Sequence, residues 1–417
     1  MTGKYTLVFD ANFFLHKTFF IAQKIKKGKP LNFIDDYEGD KNILLWKLCI
    51  DFASEVRRFD TITNRIVYCI DTKSWRKDYA KKDYKANRVK GNDIDWSAIY
   101  KVHDEFANAL ETLGVITSRI NGAEADDLIF AWSSYLNQQD QNALIISGDN
   151  DLLQLVNIDK SSNANTLYYN KFTKNINCFP KFDEWVSVKD PEIDDIFNLP
   201  LDILSNTKKA LSDIILYNKM KTSVINTEDF IFKKILIGDA GDNVSSLYVR
   251  EKETKGGIRR YRVTDRHATL ILDKFKENRI HVNQTHFFNE DMITQICEFA
   301  KDVVKIPLPL EDIIDKWKVN RDLMYLHKTC IPDKVNDAMF SSIESSLSTD
   351  TYPLPIQKIT NKDILLEGTS YSKKTKNEVG QGSIFNKLDE YNQTITKKVD
   401  EKTQKGFNSN LWDDLLS

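Results

Sequence analysis

Five cysteines in 417 residues, Cys49, Cys69, Cys178, Cys297 and Cys330, are too few and too scattered to staple a fold. None stands in a Cys-x-x-Cys pair, which argues against a disulfide framework or a zinc site and for a reducing compartment. Long apolar runs are missing as well. Nothing approaches the roughly 20 apolar residues that a membrane helix needs, and Met1 to Asp10 passes straight into a strand-like run without the apolar stretch of a signal peptide. Internal repeats are absent. Net charge is nearly absent too: 59 Lys and Arg against 61 Asp and Glu leave −2, so the placement of charge matters more than its sum. These absences set the expectation of a soluble, intracellular chain without membrane contact. The composition, 41% hydrophobic and 29% charged, is that of an ordinary globular protein, and the length allows more than one module.

What is present is a crowd of carboxylates. Glu124, Asp126, Asp127, Asp149 and Asp151 fall within about thirty residues, where apolar segments begin or end. A capped helix and an Asp-rich turn would account for either half alone. Crowded acidic groups repel, and a cation is the usual remedy. Three β-branched or aromatic runs, Tyr5 to Phe9, Arg65 to Ile70 and Ala143 to Ser147, read as strands buried on both faces. They end at Asp10, Asp71 and Asp149. Between them, Asn42 to Phe59 and Ile99 to Leu113 carry apolar residues at helical spacing. Alternating strand and helix predicts an α/β core, in which sites form beyond the carboxyl ends of strands. Three strand ends each delivering an Asp therefore point to function.

After Asp71, the stretch Lys73 to Lys90 packs eight basic residues around Trp75, Tyr79 and Tyr84. Taken alone this would be a solvated helix face; directly after a candidate metal ligand it suits phosphates and stacked bases. Asp159 to Asn226 reads as loops and short helices. Phe230 to Ile237 then runs into Gly238-Asp-Ala-Gly-Asp-Asn-Val244, which sets Asp239 and Asp242 one helical turn apart. The basic segment Tyr248 to Arg266 and a helix over Ala268 to Phe275 follow, as a helix–turn–helix element opening toward DNA phosphates would require. Helical patterns continue over Asp291 to Val304 and Leu310 to Trp317. From about residue 346 the composition predicts a disordered tail.

The order and spacing of these motifs resemble the flap endonuclease and 5'-3' exonuclease superfamily, nearest its bacteriophage ribonuclease H branch. Phe9-Asp-Ala-Asn12, Ile70-Asp71, Tyr84-Lys-Ala-Asn-Arg88, Gly122-Ala-Glu-Ala-Asp-Asp127, Ser147-Gly-Asp-Asn-Asp151 and Gly238-Asp-Ala-Gly-Asp-Asn243 carry it, over roughly residues 4–330. The resemblance implies a PIN-like α/β core with a mostly parallel sheet flanked by helices over 1–235. A basic helical arch would span about 72–98, and a helical DNA-binding region with a helix–turn–helix-type element 236–345. It implies a first metal cluster at Asp10, Asp71, Glu124 and Asp126, and a second at Asp149, Asp151 and Asp242 with Asp239 nearby. Asp127 would serve either through water. Two Mg²⁺ ions, or Mn²⁺, suit such oxygen ligands. Lys85 matches the essential arch lysine, Arg76 and Arg88 the phosphate-binding arginines, and Tyr84 a base-stacking position. Arg250, Arg259, Arg260 and Arg262 would meet duplex DNA.

The implied activity is a metal-dependent 5'-nuclease acting on flaps, nicks and RNA–DNA hybrid ends, as a monomer removing primers in phage replication within the infected cell. The resemblance departs at one place. The family's Gly-Val-x-Gly-Ile-Gly-x-Lys-Thr-Ala run, which binds potassium and duplex backbone, is replaced by Lys255-Gly-Gly-Ile-Arg-Arg-Tyr-Arg-Val-Thr264. In the tail over 346–417, Gln381 to Ile384 begins like a sliding-clamp peptide, and Asn410 to Ser417 is apolar and acidic, suited to a partner's groove such as that of a clamp or single-strand-binding protein. Rival readings are a PIN-type ribonuclease, a non-catalytic branched-DNA-binding protein, and an Asp10-nucleophile phosphatase. The last lacks its second Asp, since position 12 is Asn.

Overall fold

The computed structural model describes residues 4–25, 31–80, 84–87, 93–158, 164–178, 220–254, 257–278, 282–348 and 354–371. Arg88 and the tail motifs at 381–384 and 410–417 lie outside them, as do the side chains of Arg259 and Arg260.

The sheet is built outward from β1 (Tyr5–Asp10). It pairs in parallel with β2 (Thr63–Cys69) on one side and β4 (Asn142–Ser147) on the other. The full order is β3-β2-β1-β4-β6-β7-β8, with β3 at Ile116–Ser118, β6 at Asn165–Asn170, β7 at Asn175–Cys178 and β8 at Lys221–Val224. The two-residue β5 (Asn157–Ile158) adds an antiparallel pairing to β6. Only the β5–β6 and β6–β7 pairings are antiparallel, so the mostly parallel α/β sheet predicted from sequence is present.

Strand alternation divides the core in two. Tyr5, Leu7 and Phe9 face helices α1 (Ala11–Ile25), α2 (Tyr37–Arg57) and α4 (Trp96–Thr112); α3 is the short helix Arg76–Tyr79. Val8, Val67 and Cys69 face α5 (Ala125–Gln138) and α10 (Asp333–Ser348). Both faces are covered, which is why these strands read as continuous apolar runs. Helix α2 starts where the Asp36 side chain accepts the Gly39 N–H at 3.1 Å, and it buries Leu44, Leu48, Phe52 and Val56. It begins five residues before the periodic segment visible in the sequence.

A third core gathers α6 (Thr227–Ile237), α7 (Asp265–Glu277), α8 (Glu290–Val304) and α9 (Leu310–Met324) around Phe232, Phe275, Phe287 and Trp317. Here the sequence reading needs correcting. The basic segment after Gly238 is not the turn of a helix–turn–helix. It forms an antiparallel hairpin, β9 (Val249–Thr254) with β10 (Gly257–Arg262), inserted before α7. Val249, Thr254, Ile258 and Tyr261 are β-branched or aromatic residues that favour a strand, and the charge density around them concealed it. Arg250 and Arg262 stand exposed at its base. Gly238 ends α6 at φ +75°, where an added Cβ would lie 2.5 Å from the Val244 carbonyl, so only glycine fits this turn.

A second correction concerns the expected disordered tail from 346. Helix α10 runs to Ser348, and residues 354–371 form two short helices, α11 (Ile356–Ile359) and α12 (Lys362–Glu367). Their Ile359, Leu365 and Leu366 are buried in the α1–α2–α4 core, and Arg57 Nη2 donates to the Thr360 carbonyl at 2.7 Å. Leu354, Ile356 and Tyr371 pack against the same core at its edge, and together these side chains dock the segment. Among the described residues, no helix is long and apolar enough to cross a membrane.

Candidate metal centre and its cationic partners

Because β2, β1 and β4 are parallel neighbours, their carboxyl ends bring Asp71, Asp10 and Asp149 into one row. Asp10 is 4% exposed. Its two oxygens accept from the Phe13 N–H at 2.9 Å and from Ser147 Oγ at 2.8 Å. The same Ser147 hydroxyl accepts the Asp149 N–H at 3.0 Å, tying the two strand ends together. Asp71 accepts the Ala125 N–H at 2.6 Å, which fixes the first turn of α5 and with it Glu124 and Asp126 over the row. Asn12 donates to the other oxygen of Asp71.

The electrostatics are those of unrelieved crowding. Burial, and after it the charges of Asp71 and Asp149, push the Asp10 carboxyl up to about 7. Burial with Asp149 and Asp10 raises Asp126 well above the ordinary carboxylate range. Burial, with Glu124 and Asp127 adding to it, pushes Asp71 up to about 6.

Around this row, three cations hold the remaining carboxylates. Arg76 donates to Asp127 through Nη1 at 2.8 Å and Nη2 at 2.7 Å, and reaches Glu124 at 3.2 Å. Lys85 Nζ lies 2.6 Å from Glu124 Oε1 and 3.8 Å from Asp242. Lys234 pairs with Asp151 and, at 2.9 Å, with Asp239. Although burial opposes it, the Lys85 and Arg76 charges hold Glu124 below its ordinary value.

Several expected roles change accordingly. Arg76 and Asp127 are 2% and 0% exposed, so Arg76 is not presented to a phosphate and Asp127 is not open to a metal-bound water. Tyr84 is 5% exposed, packs in the helical core and donates through its hydroxyl toward Asp242 at 2.7 Å and Glu124 at 3.1 Å; its ring is not offered to a base. The described part of the arch is a short helix at Arg76–Tyr79 and a turn at 84–87, with Lys85 at φ 57° and its N–H on the Asp242 carbonyl at 2.8 Å. Among the described residues, no group of three or more acidic, His or Cys side chains stands arranged to hold a metal ion. The ammonium groups of Lys85 and Lys234 take up Glu124, Asp151 and Asp239 instead. The donor set nevertheless fits a hard divalent ion: every group is an oxygen donor, and Asp10, Asp71 and Asp126 are held at a cost that such an ion would relieve.

Sequence reasoning passed over Lys234, Ser147 and Asn12. The signal for Lys234 was weak, one of two adjacent lysines about one turn before Gly238 in an otherwise apolar stretch. Ser147 and Asn12 sat inside quoted motifs but act only through contacts that adjacent strands create.

The family of the 5'-3' exonuclease N-terminal, resolvase-like domain matches residues 5–181. A 5'-3' exonuclease of Buchnera aphidicola subsp. Acyrthosiphon pisum is 31% identical over 166 residues, 40% of this chain and 42% of that one. Another, from Buchnera aphidicola subsp. Schizaphis graminum, is 24% identical over 199 residues, 46% of this chain and 65% of that one. The chain thus spans less than two thirds of either relative. Among solved structures, the phage T5 D15 protein co-crystallised with metal ions aligns with a TM-score of 0.47 and 14% identity, over 82% of this chain and 99% of that one. A variant of the T5 D15 flap endonuclease, in a pseudo-enzyme–product complex with DNA and metal ions, aligns at 0.43 and 14%, over 83% and 100%. The family whose model matches residues 5–181 is the one that the motif order pointed to.

Proposed function

We propose that the chain is a metal-dependent 5'-nuclease that hydrolyses phosphodiesters at 5' flaps, nicks and RNA–DNA hybrid ends, as primer removal in phage replication would need. The observation that carries this reading is the row of Asp71, Asp10 and Asp149 at adjacent parallel strand ends, with Glu124 and Asp126 above it. Asp10, Asp71, Glu124 and Asp126 would hold one Mg²⁺. Asp149, Asp151 and Asp242, with Asp239 beside them, would hold a second. When bound, the ions supply an activated water and charge stabilisation at the phosphate.

The chain's own groups prepare that site. Ser147 and the Phe13 amide aim the Asp10 oxygens. Arg76 clamps Asp127, and through it the start of α5, since the Glu124 N–H donates to Asp127 at 3.0 Å. Lys85 is placed to exchange its carboxylate partner for a phosphate oxygen and to offset charge developing there. Arg88, outside the described residues, would bind the flanking phosphate, and Arg250, Arg259, Arg260 and Arg262 on the hairpin would meet the duplex. In this reading residues 1–235 are the nuclease core and 236–345 the duplex-binding region, while the tail beyond 371 recruits a clamp or single-strand-binding protein.

A 5'-labelled flap and a 5'-RNA–DNA hybrid, incubated with Mg²⁺ or chelator, test this. Wild type should release short 5' products only with the metal, and Asp149→Asn should release none while still binding. Tight binding without cleavage under any divalent ion would instead mark a non-catalytic branched-DNA-binding protein.

A further inference from the structure

Two phenylalanines border the carboxylate row without belonging to any of the three apolar cores. Phe13 lies in the first turn of α1, three residues after Asp10, and its N–H donates to that carboxylate at 2.9 Å. Phe172 lies two residues past β6. The N–H of the preceding Lys171 donates to the Ser147 carbonyl at 2.8 Å, and its own N–H donates to Asn170 Oδ1 at 2.9 Å. The two rings meet edge to face, centroids 5.0 Å apart and planes at 90°. They close directly over Gly148, between Ser147 and Asp149. A Cβ there would come within 2.3 Å of the Phe13 ring and 2.5 Å of the Phe172 ring. Glycine at this position therefore lets the pair rest on the backbone that carries Asp149.

Both rings are half-buried, whereas Phe14, one residue further along α1, is 2% exposed and packs into the core. Core closure explains Phe14. Phe13 and Phe172, which pack on each other, instead keep part of their surface open beside the acidic row. A phosphate gains nothing from an aromatic face and a hard divalent ion prefers the oxygens beside it, whereas a nucleobase stacks on such a face, and every base presents a π-face whatever the sequence. We propose that Phe13 and Phe172 form a stacking platform for the base of the nucleotide whose phosphate reaches the carboxylates. This takes over the role expected of Tyr84, whose ring is enclosed. The platform lies past Asp149 in the strand order, toward β6, away from the Asp71 end where Lys85 meets Glu124. It rests on the nuclease reading, and it orients the substrate without touching the reacting atoms.

The test is equilibrium binding of the full chain, in chelator, to flap DNAs carrying one abasic nucleotide walked across the junction. Wild type should show one position at which losing the base weakens binding about tenfold. Phe13→Leu and Phe172→Leu keep apolar volume over Gly148 but cannot stack, and should erase that penalty at that position. Phe172→Trp should retain it. A merely structural pair would lower affinity for every DNA alike, or lower the unfolding temperature, and leave the penalty in place. That result, or a wild type indifferent to abasic sites throughout, overturns the proposal. Cleavage of the same flap by wild type with Mg²⁺ reads the nuclease assignment separately.

Discussion

Arg76 and Asp127 form a two-pronged ion pair, Nη1 and Nη2 each within 2.8 Å of a carboxylate oxygen, with both side chains out of solvent. The guanidinium also donates through Nε to the Leu323 carbonyl at 2.9 Å, so one side chain joins the base of the arch, the start of α5 and the end of α9. Removing one partner of such a pair leaves a buried, uncompensated charge. Arg76→Ala should therefore cost roughly 3–5 kcal/mol in denaturant unfolding. Arg76→Ala combined with Asp127→Ala should cost less than the two single losses added, because the stranded charge is gone. Additive losses would show that the pair is not coupled.

Lys85 and Glu124 make a different kind of contact, a 2.6 Å ion pair at the mouth of the acidic row. Lys85→Ala should slow single-turnover cleavage far more than it weakens DNA binding, because the ammonium is needed where charge develops. It should also raise the Glu124 carboxyl, since Lys85 is the largest influence holding it down against burial. Relative to wild type at the same pH, the variant should then recover part of its lost rate as pH rises. An unchanged rate with lowered affinity would reduce Lys85 to a phosphate contact.

The carboxylate row should make the metal-free protein sensitive to alkali. Asp10 is raised in the folded chain to about 7, so the folded state binds its proton more tightly than the unfolded state does. The resulting stability is present below the unfolded value near 4 and is lost as pH rises through about 7. Asp10→Asn in chelator should thus unfold at a higher temperature than wild type at pH 8, by roughly 2–4 °C for each kcal/mol of repulsion removed. The gain should vanish at pH 4 and with saturating Mg²⁺. Cleavage should be lost at every pH.

Histidine 103 acts in the opposite direction. It is buried on the inner face of α4 with its Nε2 2.8 Å from the Tyr68 hydroxyl, and burial lowers its pKa to about 4. The unfolded chain takes up this proton near pH 6.5 and the folded chain does not, so stability should fall as pH drops from 6.5 to 4, by up to about 3 kcal/mol. His103→Gln should flatten that part of the profile, measured as the difference from wild type so that the Asp10 contribution cancels. An unchanged slope would mean that His103 is protonated in the fold.

Much of this protein is determined by local sequence. Tyr5 to Phe9, Arg65 to Ile70 and Ala143 to Ser147 are apolar on both faces, and only a strand covered on both sides fits that pattern. Their terminal Asp residues then mark one end of a parallel sheet, because parallel strands put like ends together. The short-range order of carboxylates was equally readable, and with it the resemblance to the family whose model matches residues 5–181. Local pattern failed where charge density concealed it, in the β9–β10 hairpin and in α11 and α12, whose docking depends on a few apolar side chains spread through a polar segment.

Tertiary structure alone decided which charges meet. Arg76 was expected at a phosphate and Tyr84 at a base, but Asp127, Glu124 and Asp242 come from segments about 40 to 160 residues away. Lys234 finds Asp151 across 83 residues. No spacing rule links such positions. A buried carboxylate takes the nearest cation that folding delivers, since leaving it bare in the interior costs more than any surface role the cation could fill.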